Sequence, residues 1–389
     1  MSSFLELAAA GPPQVDQVEI SVFGPNFGEC VVVHLGNGHW IVIDSCIYEP
    51  TKEPVALAYL RALALDPAES IKAVIATHWH DDHCKGLGSI ISAAPGAHIW
   101  IASALTDREF LRFSARMNKN TTAVAGTKLS EFDQIIESIL TRRNAGLLTY
   151  GFVTARMSIY RVDASVSGHG HSCEILALSP SHGDELNFRE RIARDSPQRR
   201  QTKRSVPSPE PNDISIATMV SIGPTSAILG ADLENAGSTA GWQAVISSHA
   251  YSPLVPRACL YKLPHHGSEN AHNVEVWQQL LTPEPLAVLT PWRKGRGRLP
   301  SSSGIRLIAT QTPTCYITAS DARTQKVKRR PPGVSLSLRE NRSIRLRSLE
   351  APFGAVRFRS VDLTNGTWKH ELFGDACDVR KLRRIKQVR

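Results

Sequence analysis

The sequence predicts an α/β fold. Three observations carry this: the chain opens on three strand-like runs separated by turns, a helical stretch and a buried strand follow them, and strand patterns return at intervals after residue 172. Strands that alternate with helices bury their apolar faces best in layered α/β architectures. With 389 residues there is room for one large domain with insertions, or for two smaller ones.

The opening runs are VEISVF, ECVVVHL and HWIVIDS, rich in β-branched residues and divided by GPNFG and GNG, which makes them a meander. Residues 54–65, PVALAYLRALAL, have helical periodicity, and IKAVIATH reads as a buried strand that runs into a polar loop. From about 103 to 165 the patterns are mainly helical, clearest in ALTDREFLRFSARM and LSEFDQIIESILTRR, and suggest a helical insertion. CEILALSP is the next strand. Residues 189–211 are polar, basic and proline-bearing, the composition of an exposed flexible loop. ISIATMVSIG and TSAILGADLE form a hairpin that ends on Asp232, and ACLYKL runs directly into PHHGS. PLAVLTPW and PTCYITAS complete a unit spanning 1–320, and residues 321–389 read as a basic C-terminal extension.

The formal net charge of +9 favours an anionic partner, because the summed surface field attracts polyanions. Seven scattered cysteines without a CxxC pair suit free thiols in a reducing compartment, hence the cytoplasm. The N-terminal MSSFLELAAAGPP has no basic leader and Glu6 interrupts its apolar run, so neither a secretory signal nor a membrane association is expected.

Chemistry concentrates in THWHDDHCKG. His78, His80, Asp82 and His83 stand within six positions at a strand end, and in an extended loop residues i and i+2 project to the same side. His78 and His80 can then grip one ion while Asp82 and His83 reach a neighbouring one, with Zn²⁺ the first choice and Mn²⁺ or Fe as alternatives. Asp232 and His265 also sit at strand ends, where open α/β sheets place their sites.

Taken in order, the meander, THWHDDH, the NDISIATMVSIGPTSAILGADLE hairpin and KLPHHGSEN resemble the metallo-β-lactamase superfamily, and within it the hydrolase domain of the ComEC-type competence proteins and their soluble relatives. The resemblance covers about 18–319. It implies an αββα sandwich in which His78 and His80 bind one of two divalent ions, Asp82, His83 and His265 bind the second, and Asp232 bridges them. Asp44 would lie behind the ligands and orient a histidine, or else form an ordinary strand-end turn. The superfamily commonly supplies another histidine before the hairpin. Here Asn212 and Asp213 stand there, so either the first ion is held more weakly or Asp213 substitutes. His266 could be a ligand, a proton donor or a loop-holding residue, and Lys262 could meet a phosphate oxygen.

The expected activity is hydrolysis by a metal-bound hydroxide, with a phosphodiester in nucleic acid or a nucleotide as the leading substrate. Basic runs at 189–204, 293–298 and 380–389 support an anionic polymer, whereas an aromatic content of 6% gives no obvious stacking platform. Two alternatives remain: hydrolysis of a lactone, thioester or other carboxylic substrate, and a nucleic-acid-binding or complex-forming subunit with a vestigial site.

Overall fold

The computed structural model describes residues 3–106, 131–195, 210–294, 297–320 and 353–386. Most of ALTDREFLRFSARM, the basic residues 196–209, and residues 321–352 of the C-terminal extension, with their strand-like runs VSLSL and SIRLRSL, lie outside them. Two eight-stranded sheets make the framework. The first half of the chain contributes β1 (Glu19–Phe23), β2 (Cys30–His34), β3 (Trp40–Ile43), β4 (Ile71–Ala76), β5 (His98–Ala102) and β6 (Tyr150–Val153) to the first sheet. The second sheet takes β7 (Ser158–Val162), β8 (Cys173–Ala177), β9 (Thr218–Ile222), β10 (Thr225–Leu229), β11 (Ala258–Lys262), β12 (Leu281–Leu289) and β13 (Cys315–Ile317). The chain then returns to the first sheet with β14 (Gly354–Asp362) and β15 (Thr367–Gly374), and to the second with β16 (Cys377–Asp378).

Edge to edge, the orders are β15-β14-β1-β2-β3-β4-β5-β6 and β16-β13-β12-β11-β10-β9-β8-β7. The meander β1-β2-β3 is antiparallel, as hairpin-length turns allow. Pairing turns parallel from β3 to β6 and again from β10 to β13. Helices α1 (Ser3–Ala9), α2 (Val55–Ala62), α3 (Leu87–Ala93), α4 (Glu131–Asn144), α5 (His182–Asp195), α6 (Gly241–Tyr251), α7 (Ser302–Gln311) and α8 (Val379–Lys386) accompany the sheets. None of the described helices is long and apolar enough to cross a membrane.

Side chains on a strand alternate between faces, and the second sheet uses both. Val220, Ala227, Leu229, Leu260, Val288 and Tyr316 join the core shared with the first sheet. Their neighbours Met219, Ile228, Tyr261, Ala287, Leu289 and Ile317 face a separate cluster with Trp242 and Ile246 of α6 and Ile305 and Ile308 of α7. Sheet against sheet, with helices outside, is the αββα sandwich.

The structure departs from the sequence reading in two places. The stretch 103–165 is not helical throughout: its aromatic and β-branched runs YGFV and SIYRV form β6 and β7, the edge strands of the two sheets. Within 189–211, residues up to Asp195 complete α5, because Phe188 and Ile192 give that helix an apolar face to bury.

The described part of the C-terminal extension is built into both sheets. AVRFRSV is β14, and it places two arginines against the N-terminal helix. Arg357, fully buried, binds Glu371 through Nε (2.9 Å) and Nη2 (2.6 Å) and donates to the Leu7 carbonyl (2.8 Å). Arg359 Nε donates to Glu19 Oε2 (2.7 Å), and Tyr59 and Ser21 hydroxyls donate to Glu19 Oε1 at 2.5 and 2.8 Å. Removing one member of a buried pair strands the other's charge. Arg359→Ala should therefore cost about 3–5 kcal/mol in urea unfolding, and a cost below ~1 kcal/mol would show that β14 is held by other means.

His34, at the end of β2, is buried with its neutral form satisfied twice: Nδ1 donates to the Gln17 carbonyl (2.8 Å) and Nε2 accepts from Gly38 N–H (3.0 Å). Burial lowers its pKa to about 4, against the pull of the Gln17 carbonyl. The unfolded chain takes up this proton near 6.5, so between the two values it binds more protons than the folded chain. Stability should fall on acidification from pH 6.5 to 4, by up to about 1.4 kcal/mol per pH unit from this group. Unfolding midpoints across that window should be flatter for His34→Asn; equal slopes would remove His34 as the cause.

Candidate metal centre

The parallel strands deliver the polar residues to one end of the sandwich. Asp44 follows β3, the His78 to His83 loop follows β4, Asp232 follows β10, and His265 and His266 follow β11. Asp44, Ala231, His265 and His266 all adopt left-handed backbone (φ 59°, 42°, 44° and 54°). Such conformations cost non-glycine residues about 1–3 kcal/mol each and cluster where side chains must be aimed.

His78 and His83 are fully buried, and Asp82, Asp232 and His266 nearly so. Among the described residues four groups of three have donor atoms close enough to share an ion; Asp44, His78 and His83 form one and Glu29, His83 and Asp232 another, and the remaining two have no residue in common. One of these two is His78, His80 and Asp232; the other is Asp82, His83 and His266. His78 Nε2 lies 3.1 Å from His80 Nδ1 and 3.8 Å from Asp232 Oδ2. On the other side His83 Nε2 is 3.3 Å from Asp232 Oδ1, and His266 Nε2 is 3.3 Å from Asp82 Oδ2 and 3.6 Å from Asp232 Oδ2. Asp232 thus stands between the groups.

Behind them Asp44 is saturated. Its Oδ1 accepts the Thr77 N–H (2.8 Å), and its Oδ2 meets the Thr77 hydroxyl (2.6 Å) and His83 Nδ1 (2.7 Å). That last contact fixes the Nδ1 proton of His83 and turns Nε2 inward. His83 Nε2, Asp232 Oδ1 and His266 Nε2 are buried without a properly directed hydrogen bond, although buried polar atoms rarely go unpaired. Divalent cations at the two groups would satisfy these atoms, and imidazole with carboxylate is the donor set that suits Zn²⁺, Mn²⁺ or Fe.

The charges agree. Burial would deprotonate His83, yet Asp232 and Asp44 outweigh it and hold its pKa well above the ordinary imidazole value, so a cation bound at Nε2 would take the place of a proton there. Burial likewise opposes the charge of Asp232, but His83 and His266 keep it ionised. His78, under stronger desolvation, is held neutral, the form a metal requires.

Four residues named on sequence take other places. His266, rather than His265, turns toward Asp82 and Asp232. His265 Nδ1 pairs instead with Glu234 Oε1 (2.7 Å). Lys262 does not reach a substrate: it is fully buried in an ion pair with Glu29 and donates to the Ala231 carbonyl (3.0 Å). Asp213 belongs to neither group, because it pairs with Arg191 Nη1 of α5 (2.6 Å); burial nonetheless pushes its carboxyl up to about 6. Asn212 Nδ2 donates to Glu234 Oε1 (2.8 Å), so the place of the absent histidine is tied to the His265 pair.

The cleft above the groups, of about 360 Å³, is lined among others by Phe27, Trp79, Glu210, Trp292 and Lys294. Trp292 and Lys294 come from a short hairpin, Trp292–Lys294 with Gly297–Leu299. One side of the indole is packed on Gly297, where a Cβ would fall 2.3 Å from Cζ3, and the ring meets Phe27 with centroids 6.4 Å apart. Lys294 Nζ sits 4.7 Å from the Phe27 centroid. Overall composition hid this local aromatic wall. Glu29, Glu234 and the hairpin are the parts of the site that sequence reasoning missed, since none carries a recognisable spacing.

Residues 23–113 match the model of the metallo-beta-lactamase superfamily, a stretch that runs from the end of β1 through the His78 to His83 loop. Together with the two-sheet architecture this makes the fold a metallo-β-lactamase αββα sandwich, one that suits metal-dependent hydrolysis. No curated protein sequence matches the chain. Among solved structures it is similar to the metallo-β-lactamase SMB-1 bound to 2-mercaptoethanesulfonate, at 12% identity over 69% of this chain and 85% of that one, with a TM-score of 0.33. It is also similar to Zn²⁺-bound PqqB from Methylobacterium extorquens, at 10% identity over 61% of each chain and a TM-score of 0.29. The β-hydroxylase CmlA shares 13% identity over 65% of this chain and 36% of its own, with a TM-score of 0.32. Overlaps this partial say nothing about substrate.

Asp44→Ala would leave the Thr77 amide and the inward aim of His83 unsupported. We expect a stability loss of about 1–3 kcal/mol and a 10- to 100-fold weaker hold on metal, read by urea unfolding and chelator competition. Wild-type affinity in this variant would reduce Asp44 to a turn former.

Proposed function

We propose that the protein is a metal-dependent phosphodiesterase acting on a nucleotide or a nucleic-acid strand. The observation that carries the hydrolase part is the convergence of His78, His80, Asp82, His83, Asp232 and His266, drawn from both sheets, on one buried spot that calls for positive charge. His78, His80 and Asp232 would hold one ion, and Asp82, His83 and His266 the other. Two divalent ions, when bound, supply polarisation of a phosphoryl oxygen and acidify a water near neutral pH. The intact donor set weighs against a vestigial site.

The phosphodiester part is supported by the walls of the cleft and by the competence-protein likeness of the motif set. Lys294, whose ammonium stands 4.0 Å from the exposed Asp81 Oδ2, offers a largely exposed cation at the rim of the cleft, while Trp292 and Phe27 offer aromatic surface to a base. One arginine of each described basic segment is engaged elsewhere: Arg191 with Asp213, Arg293 with the Ser320 carbonyl (2.8 Å), and Arg380 with Asp378 (2.6 Å). A substrate of nucleotide dimensions therefore stands ahead of a long duplex. The seven cysteines are free, which suits a reducing compartment such as the cytoplasm.

The test is hydrolysis of bis-p-nitrophenyl phosphate and of a dinucleotide with Zn²⁺ or Mn²⁺, beside a lactone and a thioester. Turnover of the diesters that falls at least 100-fold in Asp82→Ala and in His266→Ala is the expected result. Faster turnover of the lactone or thioester would replace the phosphodiester reading with the carboxylic one. Trp292→Ala should raise KM for the dinucleotide roughly 5- to 100-fold with kcat little changed, the worth of one stacked base. If longer strands are substrates, their binding should weaken steeply with salt.

A further inference from the structure

We propose that Glu29, with its partner Lys262, is a positioning residue that sets the orientation and tautomer of His266 and the placement of Asp232. This inference rests on the metal-centre reading above and goes beyond it. Glu29 is the last residue before β2, and because β2 runs antiparallel to β3 it lies at the same end of the sandwich as the strand-end ligands. Its side chain is 2% exposed and Lys262 is 0% exposed. A bare ion pair so deep is seldom kept for stability, since desolvating both charges offsets their attraction. The surroundings suggest a different use.

From this pair three paths lead into the centre. The first passes through Thr290, at the end of β12. A carboxylate only accepts, so the Thr290 hydroxyl must donate its proton to Glu29 Oε2 (2.5 Å). With that proton committed, Thr290 Oγ1 can only accept from His266 Nδ1 (2.9 Å), and the Thr290 carbonyl, 3.2 Å from the same nitrogen, makes the same demand. The Nδ1 proton is fixed, which leaves the Nε2 lone pair facing Asp82 and Asp232. The second path is Lys262 Nζ to the Ala231 carbonyl (3.0 Å), which holds the left-handed residue immediately before Asp232. The third is the Glu29 amide, which donates to the carbonyl of Asp82 (2.8 Å). The buried pair thereby touches the supports of His266 and Asp232, and the backbone that carries it is tied to that of Asp82.

A glutamine at position 29 could donate to Thr290 and reverse the hydroxyl, which would then press its proton on His266 Nδ1 and favour the unproductive tautomer. It would also leave Lys262 buried without a counter-charge. The double variant Glu29→Gln with Lys262→Met removes the second problem and keeps the first, so it separates positioning from stability.

The experiment is a Co²⁺ titration of the full-length protein, following visible absorption and competition with a chelator, alongside Tm. Wild type should bind two equivalents. The double variant should fold with a Tm near wild type while the equivalent held by Asp82, His83 and His266 weakens 10- to 100-fold with a changed absorption band, and the equivalent that includes Asp232, which loses the Lys262 hold on Ala231, weakens as well. Affinity within twofold of wild type, with an unchanged spectrum, would show the pair to be structural filling and overturn the proposal. Should the double variant fail to fold, Thr290→Val leaves the Glu29–Lys262 pair and the Thr290 carbonyl contact in place and removes only the hydroxyl that joins Glu29 to His266. The equivalent held by Asp82, His83 and His266 should weaken in it, and unchanged binding would overturn the proposal equally. A wild type that takes up no Co²⁺ fails before any variant is made, and overturns the metal centre itself.

Discussion

A carboxylate cut off from water must be given positive charge or lose its own, and three aspartates at the end of this sandwich live under that rule. Asp44, Asp82 and Asp232 are buried, and each is answered by imidazole: Asp44 by His83, Asp82 by His266, Asp232 by His83, His266 and His78. In a low-dielectric interior such contacts are strong and the cost of leaving one unmade is high. Acids and imidazoles in this proportion make a place where divalent cations belong.

The scaffold meets that demand by topology. Each sheet contributes parallel strands that end at the same level, so loops of one to seven residues after a strand are enough to bring the side chains to the centre. Left-handed backbone at Asp44, Ala231 and His266 turns these short loops sharply. The strain is borne by strands packed on both faces, where a shift of one residue would exchange the buried face for the other.

Behind the ligands stand partners whose only apparent business is direction. Asp44 holds His83, Thr290 holds His266, and Glu29 with Lys262 lies beneath. The same logic governs the ends of the chain, where Arg357 and Arg359 of β14 fasten the N-terminal helix to the first sheet. Basic residues late in the sequence thus serve the fold as well as the net charge.

The sequence by itself determined the α/β class, the opening meander and the density of ligands from His78 to His83, because periodicity and ligand spacing are local properties that survive without a fold. Asp232 was legible too, as the residue that ends a strongly apolar strand. Only the tertiary structure decided which of two adjacent histidines faces inward. Neighbours in sequence point to opposite sides, and the choice fell to Glu234, which takes His265, and Thr290, which takes His266. It also decided that Lys262 is consumed by Glu29, that Asp213 is consumed by Arg191, and that Trp292 and Phe27 share a wall. Each of these depends on a partner far away along the chain, and a charge or a ring in a sequence carries no sign of what it will meet.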